Sequence, residues 1–226
     1  LRAARAEIRA REEFLAVASH ELRGPIAAIR FAVEGMRSGQ AMARFLDIID
    51  REEHRLERLV DEMVDLGHLR GGKLNLVIEP VDLGDVIREA AARLDVERVR
   101  SGSTLEVRGD RRIAGHWDRM RLEQIVTNLL SNAIKFGNGK PIVIELAAHD
   151  HRARITITDR GIGIAPAKLR TIFDPFERAV PERQYGGLGL GLYIVRTIVA
   201  RLGGTIDVHS AVGSGTMFVV ELPLEV

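Results

Sequence analysis

Residues 119–136 read RMRLEQIVTNLLSNAIKF. Asn128, Asn132 and Lys135 stand at i, i+4 and i+7, which on a helix is one stripe. Leu122, Ile125, Leu129, Ala133 and Phe136 line one side of it, and Val126, Leu130 and Ile134 the other. A polar stripe between two apolar faces describes a mostly buried helix whose amides need partners. Internal hydrogen bonds would satisfy them. So would Mg²⁺, for which neutral amide oxygens of Asn128 and Asn132 are suitable hard ligands when a triphosphate supplies the negative charge. Lys135 would then reach a phosphate.

Downstream of this helix, Ile142–Ala148 and Arg154–Thr158 read as strands around a polar turn, His149-Asp150-His151. In that turn the two histidines read as surface rather than as a metal site. Asp159-Arg160-Gly161-Ile162-Gly163 ends the second strand. A carboxylate there can accept the exocyclic amine of adenine, where guanine presents a carbonyl, and the two glycines let backbone approach the base. Phe173-Asp174-Pro175-Phe176-Glu177-Arg178 follows, two exposed-looking aromatics beside a polar stretch, as in a lid over a ligand. Arg178 is placed to steady the charge of a transferring phosphoryl group. Gly186-Gly187-Leu188-Gly189-Leu190-Gly191 opens a helix, so its amides and the helix N-terminus form an anion site. Thr205–His209 and Thr216–Leu222 make a closing hairpin across Gly213-Ser214-Gly215. Upstream, Leu74–Ile78 alternates like a strand, Asp82 caps a helix to about Leu94 with Asp85 in capping-box position, and Thr104–Gly115 is a weakly patterned strand region. Strands with interspersed helices make residues 73–226 an α/β sandwich with a mixed sheet.

Residues 1–72 follow another period. Ile8, Leu15, Ala18, Leu22, Ile26, Ile29, Val33 and Met36 recur at steps of three, four or seven. Ser38-Gly39-Gln40 breaks the pattern. Met42, Leu46, Ile49, Leu56, Val60 and Met63 then form a second seam, which ends near Gly67 or Gly71-Gly72. An antiparallel helical hairpin results, with an apolar stripe wider than it can cover alone. A four-helix bundle made by two chains is the economical solution. The whole is therefore of α+β class. His20 points roughly 200° away from Ala18, to the outer face. One turn on, Gly24 and Pro25 lie inside a helix that continues past them. A proline there removes one backbone hydrogen bond and kinks the helix at about 3 kcal/mol, which suggests a helix required to bend beside an exposed His-Glu pair. Glu21 can take the proton that an attacking imidazole must lose, though it would have to swing across, since adjacent helical residues do not face each other.

Composition narrows the classes. The net charge is +1 and no strongly basic stretch appears, so the footprint of a nucleic-acid binder is missing. There is no cysteine, which excludes disulfide and thiolate chemistry and fits a reducing compartment. No apolar run approaches the roughly 18 residues of a membrane span. The chain opens mid-helix without a cap, as a cut from a longer protein does, so any membrane anchor is expected upstream and this part is expected in the cytoplasm without membrane contact.

FLAVASHELRGPI, NLLSNAIKF, DRGIGI, IFDPFER and GGLGLGLYIV resemble, in that order and spacing, the phosphoacceptor segment, Asn-rich helix, adenine turn, aromatic lid and phosphate loop of the histidine kinase family. The resemblance spans Phe14 to Leu222. It implies a dimerisation and phosphoacceptor hairpin over 1–72 and a gyrase-type ATP-binding sandwich over 73–226. His20 would be the nucleophile and Glu21 its acid–base partner. Asn128 and Asn132 would hold Mg²⁺; Lys135 and Arg178 would touch phosphates; Asp159, with Gly161 and Gly163, would read adenine. Phe136, Phe176, Gly187, Gly189, Gly191 and Leu192 would complete the ATP site. A homodimer and a response-regulator receiver domain would be the partners. Two positions depart from the family, which often has Thr or Asn at Gly24 and Tyr at Phe136. Gyrase-type ATP hydrolases carry a glutamate base where this chain has Asn128, and an amide takes no proton from water. A scaffold that has lost ATP binding would show decay in the nucleotide segments, which here all stand.

Overall fold

The computed structural model describes residues 2–38, 42–70, 75–177 and 188–225. Two compact units emerge, one of residues 1–72 with the end of the glycine-rich loop (188–190 among those described), the other formed by the remainder.

The first unit is a pair of packed helices, α1 (Arg2–Arg37) and α2 (Met42–Arg70). Side chains of α1 are described from Ala16 onward, so Ile8 and Leu15 lie outside the described residues. Ala18, Glu21, Pro25 and Ala32 bury against the hairpin partner, and Phe45, Glu52, Leu59 and Leu66 are buried on α2. Gly35 is there because a Cβ would lie 2.3 Å from the ring of Phe45. This buried line shares Ala18 with the expected α1 seam, of which Leu22, Ile29, Val33 and Met36 are half-buried, and shares no residue with the expected α2 seam. Ile26, Phe31, Met42, Leu46, Val60 and Val64 are all more than half exposed. A single chain buries only one side of its apolar stripe, and on α1 that side carries Ala18, Pro25 and Ala32.

The second unit holds a five-stranded mixed sheet in the order β2-β4-β5-β7-β6. Its strands are β2 (Leu105–Gly109), β4 (Ile142–His149), β5 (Arg152–Asp159), β6 (Thr205–Ala211) and β7 (Gly215–Pro223). In this sheet the β2–β4 pairing is parallel and the other pairings are antiparallel. A separate antiparallel pair joins β1 (Glu79–Asp82) to β3 (Ala114–Trp117). Register aligns Val107, Ile144, Ile157, Phe218 and Val208 in one cross-strand row, and Leu146, Ile155, Val220 and Ile206 in another. Period-two alternation sends these apolar rows to one face. Against the sheet pack α5 (Arg119–Phe136) and α6 (Gly191–Arg201), and α3 (Leu83–Arg93) packs on α5. On the opposite face Arg154 donates to Glu221 on β7 at 2.8 Å.

The expected strand at Leu74–Ile78 is displaced. Leu74 lies outside the described residues, residues 75–78 are not in a strand, and the strand begins at Glu79. The backbone N–H of Val77 goes instead to the Asp118 carboxylate at 3.0 Å, and Val77 and Ile78 face solvent, so their alternation has no core to serve. Asp82 caps α3 through the Gly84 amide at 2.9 Å, but Asp85 turns to Arg88 rather than closing a capping box. A short α4 (Asp95–Ser101), which has no buried residue, was not legible as a separate helix. At the β4–β5 turn Asp150 and His151 both take positive φ, the two-residue geometry whose twist suits a hairpin.

Candidate functional site

Asp118, nearly fully buried, fixes where α5 starts. One of its carboxylate oxygens accepts from the Arg121 amide at 3.0 Å and the other from Val77. Seven apolar residues of α5, Leu122 to Ile134, are buried on both sides of the polar stripe, as its pattern required. Asn128 donates its amide nitrogen to the Gln124 carbonyl at 3.0 Å. That bond orients the side chain and leaves Oδ1 as the acceptor, directed at the start of α6. A Cβ on Gly191 would stand 2.7 Å from this oxygen. Asn132 is half-buried and makes no side-chain hydrogen bond among the described residues. Lys135 lies over the Phe136 ring, 5.1 Å from its centre. The α5 stripe thus presents two amide oxygens and an ammonium along one line, a donor set that fits a hard cation carried by phosphates.

Asp159 ends β5 and is buried. Its carboxylate accepts from the Gly161 amide at 2.7 Å and from the backbone of Thr216 on β7. Burial raises its pKa above the usual carboxylate value, and these two amide contacts only partly offset that. Residues 159–163 are pinned on both sides. The Ile162 amide donates to the Phe136 carbonyl at 3.1 Å, and the Ile162 carbonyl accepts from Gly213 at 2.7 Å. Gly161 and Gly163 are glycines for this reason: a Cβ would meet the Phe136 carbonyl oxygen at 1.9 Å and that of Ala211 at 2.0 Å. Close backbone approach is what they permit, and the neighbour is the protein's own chain.

Several contributors escaped sequence reading. Thr216 is buried beside Asp159, and its hydroxyl lies 3.0 Å from that of Ser210. The Ser210 hydroxyl also receives the Ile164 amide at 2.8 Å. Gly215, at φ +95°, passes so close that a Cβ would fall 2.1 Å from the Asp159 carbonyl. The signal lay in Gly213-Ser214-Gly215-Thr216, legible as a turn but not as the wall of a site.

The lid aromatics divide. Phe173 is buried, edge-on to Phe218 with centroids 6.4 Å apart and with Arg196 stacked 5.8 Å above it. It is a core residue, since β7 offers it an apolar face. Phe176 is half-buried at φ +68°, an uncommon conformation for a bulky side chain. Arg178 and Gly187 lie outside the described residues. Gly189 takes φ +71°, and Leu192 is half-buried in the first turn of α6.

On the helical hairpin, His20 is exposed, as its position on α1 required. Glu21, the next residue, is buried. Its carboxylate is buried toward α2 and receives Arg55 Nη2 at 2.9 Å. A Cβ at Gly24 would meet nothing within 4 Å.

Residues 117–226 match the family described as "Histidine kinase-, DNA gyrase B-, and HSP90-like ATPase", and residues 10–72 the "His Kinase A (phospho-acceptor) domain". The solved structure of the mycobacterial sensor histidine kinase MprB is 35% identical, with 65% of this chain and 97% of that one covered, at a TM-score of 0.57. The chain belongs to the sensor histidine kinase family. Among its curated relatives, the sensor-like histidine kinase SenX3 of Mycobacterium tuberculosis (strain ATCC 25618 / H37Rv) is 34% identical over 225 residues, 95% of this chain and 54% of that protein. The autoinducer 2 sensor kinase/phosphatase LuxQ of Vibrio harveyi is 32% identical over 237 residues, 99% of this chain and 28% of that protein. This kinase-family chain thus spans about half or less of these relatives' length. The Acinetobacter baumannii histidine kinase AdeS shares the fold at a TM-score of 0.70 and 24% identity, covering 91% of this chain and 98% of that one. Among the described residues, no helix is long and apolar enough to cross a membrane.

Proposed function

We propose that the chain is the catalytic core of a cytoplasmic signalling kinase that moves the γ-phosphate of ATP onto His20 and then to an aspartate of a response regulator. Residues 1–72 would serve as dimerisation and phosphotransfer domain and residues 73–226 as ATP-binding domain. The observation that carries the reading is the pairing of an amide with an imidazole. Asn128, where a hydrolase of this fold class would need a base, offers only an oriented amide oxygen, while His20 is exposed on a helix that carries Pro25 one turn on. Such a chain can hold the nucleotide without activating water, and a nucleophile is available in the protein itself.

Asp159 would accept the adenine amine. Asn128 and Asn132 would hold Mg²⁺, which would neutralise phosphate charge. Lys135 would reach a phosphate, as would Arg178. In the transfer a ring nitrogen of His20 forms the N–P bond as the β–γ P–O bond breaks and ADP departs, and Glu21 takes the imidazole proton. In the second step a regulator carboxylate forms an O–P bond as the N–P bond breaks, and the departing ring nitrogen takes back a proton from the Glu21 carboxyl, regenerating the imidazole. Incubation with γ-labelled ATP and Mg²⁺ tests the reading. The natural chain should acquire label and His20→Gln should acquire none while still binding nucleotide; a labelled His20→Gln protein would remove His20 from the scheme.

A further inference from the structure

Asp159, Thr216 and Ser210 stand in one cross-strand row over β5, β7 and β6. The row lies next to that of Ile157, Phe218 and Val208 on the same face of the sheet. Directly opposed side chains in such a row have Cβ atoms about 5 Å apart, so Thr216 is the immediate neighbour of the Asp159 side chain. Both are deeply buried, Asp159 at 6% exposed and Thr216 at 7%.

A hydroxyl has one proton to give and two lone pairs to fill. For Ser210 all of these are assigned. The Gly215 carbonyl oxygen lies 2.7 Å from its Oγ and can only accept, so the Ser210 proton goes there. The Ile164 amide, at 2.8 Å, can only donate and fills one lone pair. Thr216 Oγ1, at 3.0 Å, meets the remaining lone pair and must supply its own proton. With that proton committed to Ser210, the Thr216 hydroxyl can only accept from anything else that reaches it, and no donor does among the described residues. An ionised Asp159 is likewise acceptor-only and has capacity beyond the Gly161 and Thr216 amides it already takes. Two neighbouring groups that only accept suit a ligand edge that only donates. The exocyclic amine of adenine carries two N–H donors, whereas a 6-oxo purine presents an acceptor in the same place.

We propose that Ser210 is a positioning residue that sets base selectivity, by taking the Thr216 proton and so holding the Thr216 hydroxyl as an acceptor beside Asp159. This rests on the reading of Asp159 as the acceptor of the adenine amine. Ser210 acts through Thr216 and needs no contact with the base. Without the Ser210 hydroxyl the Thr216 proton is free to turn, and a carbonyl at position 6 then finds a donor.

The test is titration calorimetry of the full chain with ADP and with inosine diphosphate, which carries a 6-oxo group and an N1 proton in place of the 6-amine. The quantity read is the ratio of the two dissociation constants. The proteins are the natural chain, Asp159→Asn, Ser210→Ala, Ser210→Thr, Thr216→Val and Ser210→Ala combined with Thr216→Val. Ser210→Ala should reduce the preference for ADP by about tenfold, the scale of one hydrogen bond, and Ser210→Thr, which keeps the hydroxyl, should retain it. Thr216→Val should also reduce it, and adding Ser210→Ala should change it no further. A hydroxyl that merely braces Ile164 and Gly215 would on removal weaken both ligands alike and leave the ratio as it was. That result in Ser210→Ala, a Ser210→Thr that behaves like it, or a further fall in the double variant overturns the role of Ser210, while a reduced preference in Asp159→Asn leaves the adenine reading standing. Should Ser210→Ala not fold, Thr216→Val decides, and an unchanged ratio there overturns the proposal. Equal binding of the two diphosphates by the natural chain, or an undiminished preference in Asp159→Asn, overturns the adenine reading and the role of Ser210 with it.

Discussion

The buried Asp159 carboxylate is held at some cost to the fold. Its pKa is raised because burial penalises the charge more than the Gly161 and Thr216 amides compensate. The folded state therefore binds this proton more tightly than the unfolded state does. Its contribution to stability is present below the unfolded pKa and declines as pH rises through the folded one. Asp159→Asn should accordingly melt higher than the natural protein at neutral pH without nucleotide, the difference vanishing on acidification. The same variant should bind ATP more weakly, by the roughly 1.5–3 kcal/mol of a charge-assisted hydrogen bond to the adenine amine. Calorimetric melting and titration check both halves, and weaker melting with unchanged affinity would contradict them. Gly24 is the other informative residue. It shares the face of His20 one turn on, glycine offers a regulator's acyl phosphate neither oxygen nor amide, and a side chain there would find open space. Gly24→Thr should therefore speed the decay of a phosphorylated regulator in the presence of the unphosphorylated kinase, while the natural protein should speed it little. Equal acceleration by both would refute this.

At the scale of elements, α5 was legible almost completely. A helix buried on two sides must carry a tight 3.6-residue period, and its bounds, Arg119–Phe136, follow the sequence pattern. The β4–β5 and β6–β7 hairpins were legible for the corresponding reason of alternation. What the pattern did not reveal were contacts between elements distant in sequence. Thr216 and Ser210 wall the Asp159 site through β7 and β6, and Arg55 meets Glu21 across 34 positions. Phe173 looked exposed because its cover, Phe218, comes 45 positions later. Nor does periodicity distinguish the side of a helix that meets its hairpin partner from the side left for another chain, which is why the α1 seam includes both the buried Ala18 and the exposed Ile26. The junction of α5 and α6 yields an element-scale prediction. Gly191 has ordinary helical backbone, so alanine suits the helix there, gaining up to about 1 kcal/mol in propensity. Its Cβ, however, would displace the Asn128 oxygen. Gly191→Ala should keep or raise the melting temperature and weaken binding of Mg²⁺-ATP, as read by titration; undiminished affinity would mean that Asn128 does not face the cation.

At the scale of the whole molecule, the hairpin leaves Ile26, Phe31, Met42, Leu46, Val60 and Val64 exposed, more apolar surface than two helices ordinarily show to water. A second copy would bury it in a four-helix bundle. Cutting at Gly72 should thus yield a dimeric hairpin and a monomeric nucleotide-binding fragment in sedimentation, and a monomeric hairpin at micromolar concentration would contradict the bundle. The central claim is transfer of phosphate to His20, and the most direct test of it is to locate the phosphate. The natural chain, incubated with Mg²⁺-ATP, is digested under alkaline conditions and its phosphopeptides are sequenced by mass spectrometry. The account predicts a single phosphate on His20, stable to alkali and lost in acid. Phosphate on a hydroxyl side chain, or ATP turned over with no phosphate on the protein, would contradict it.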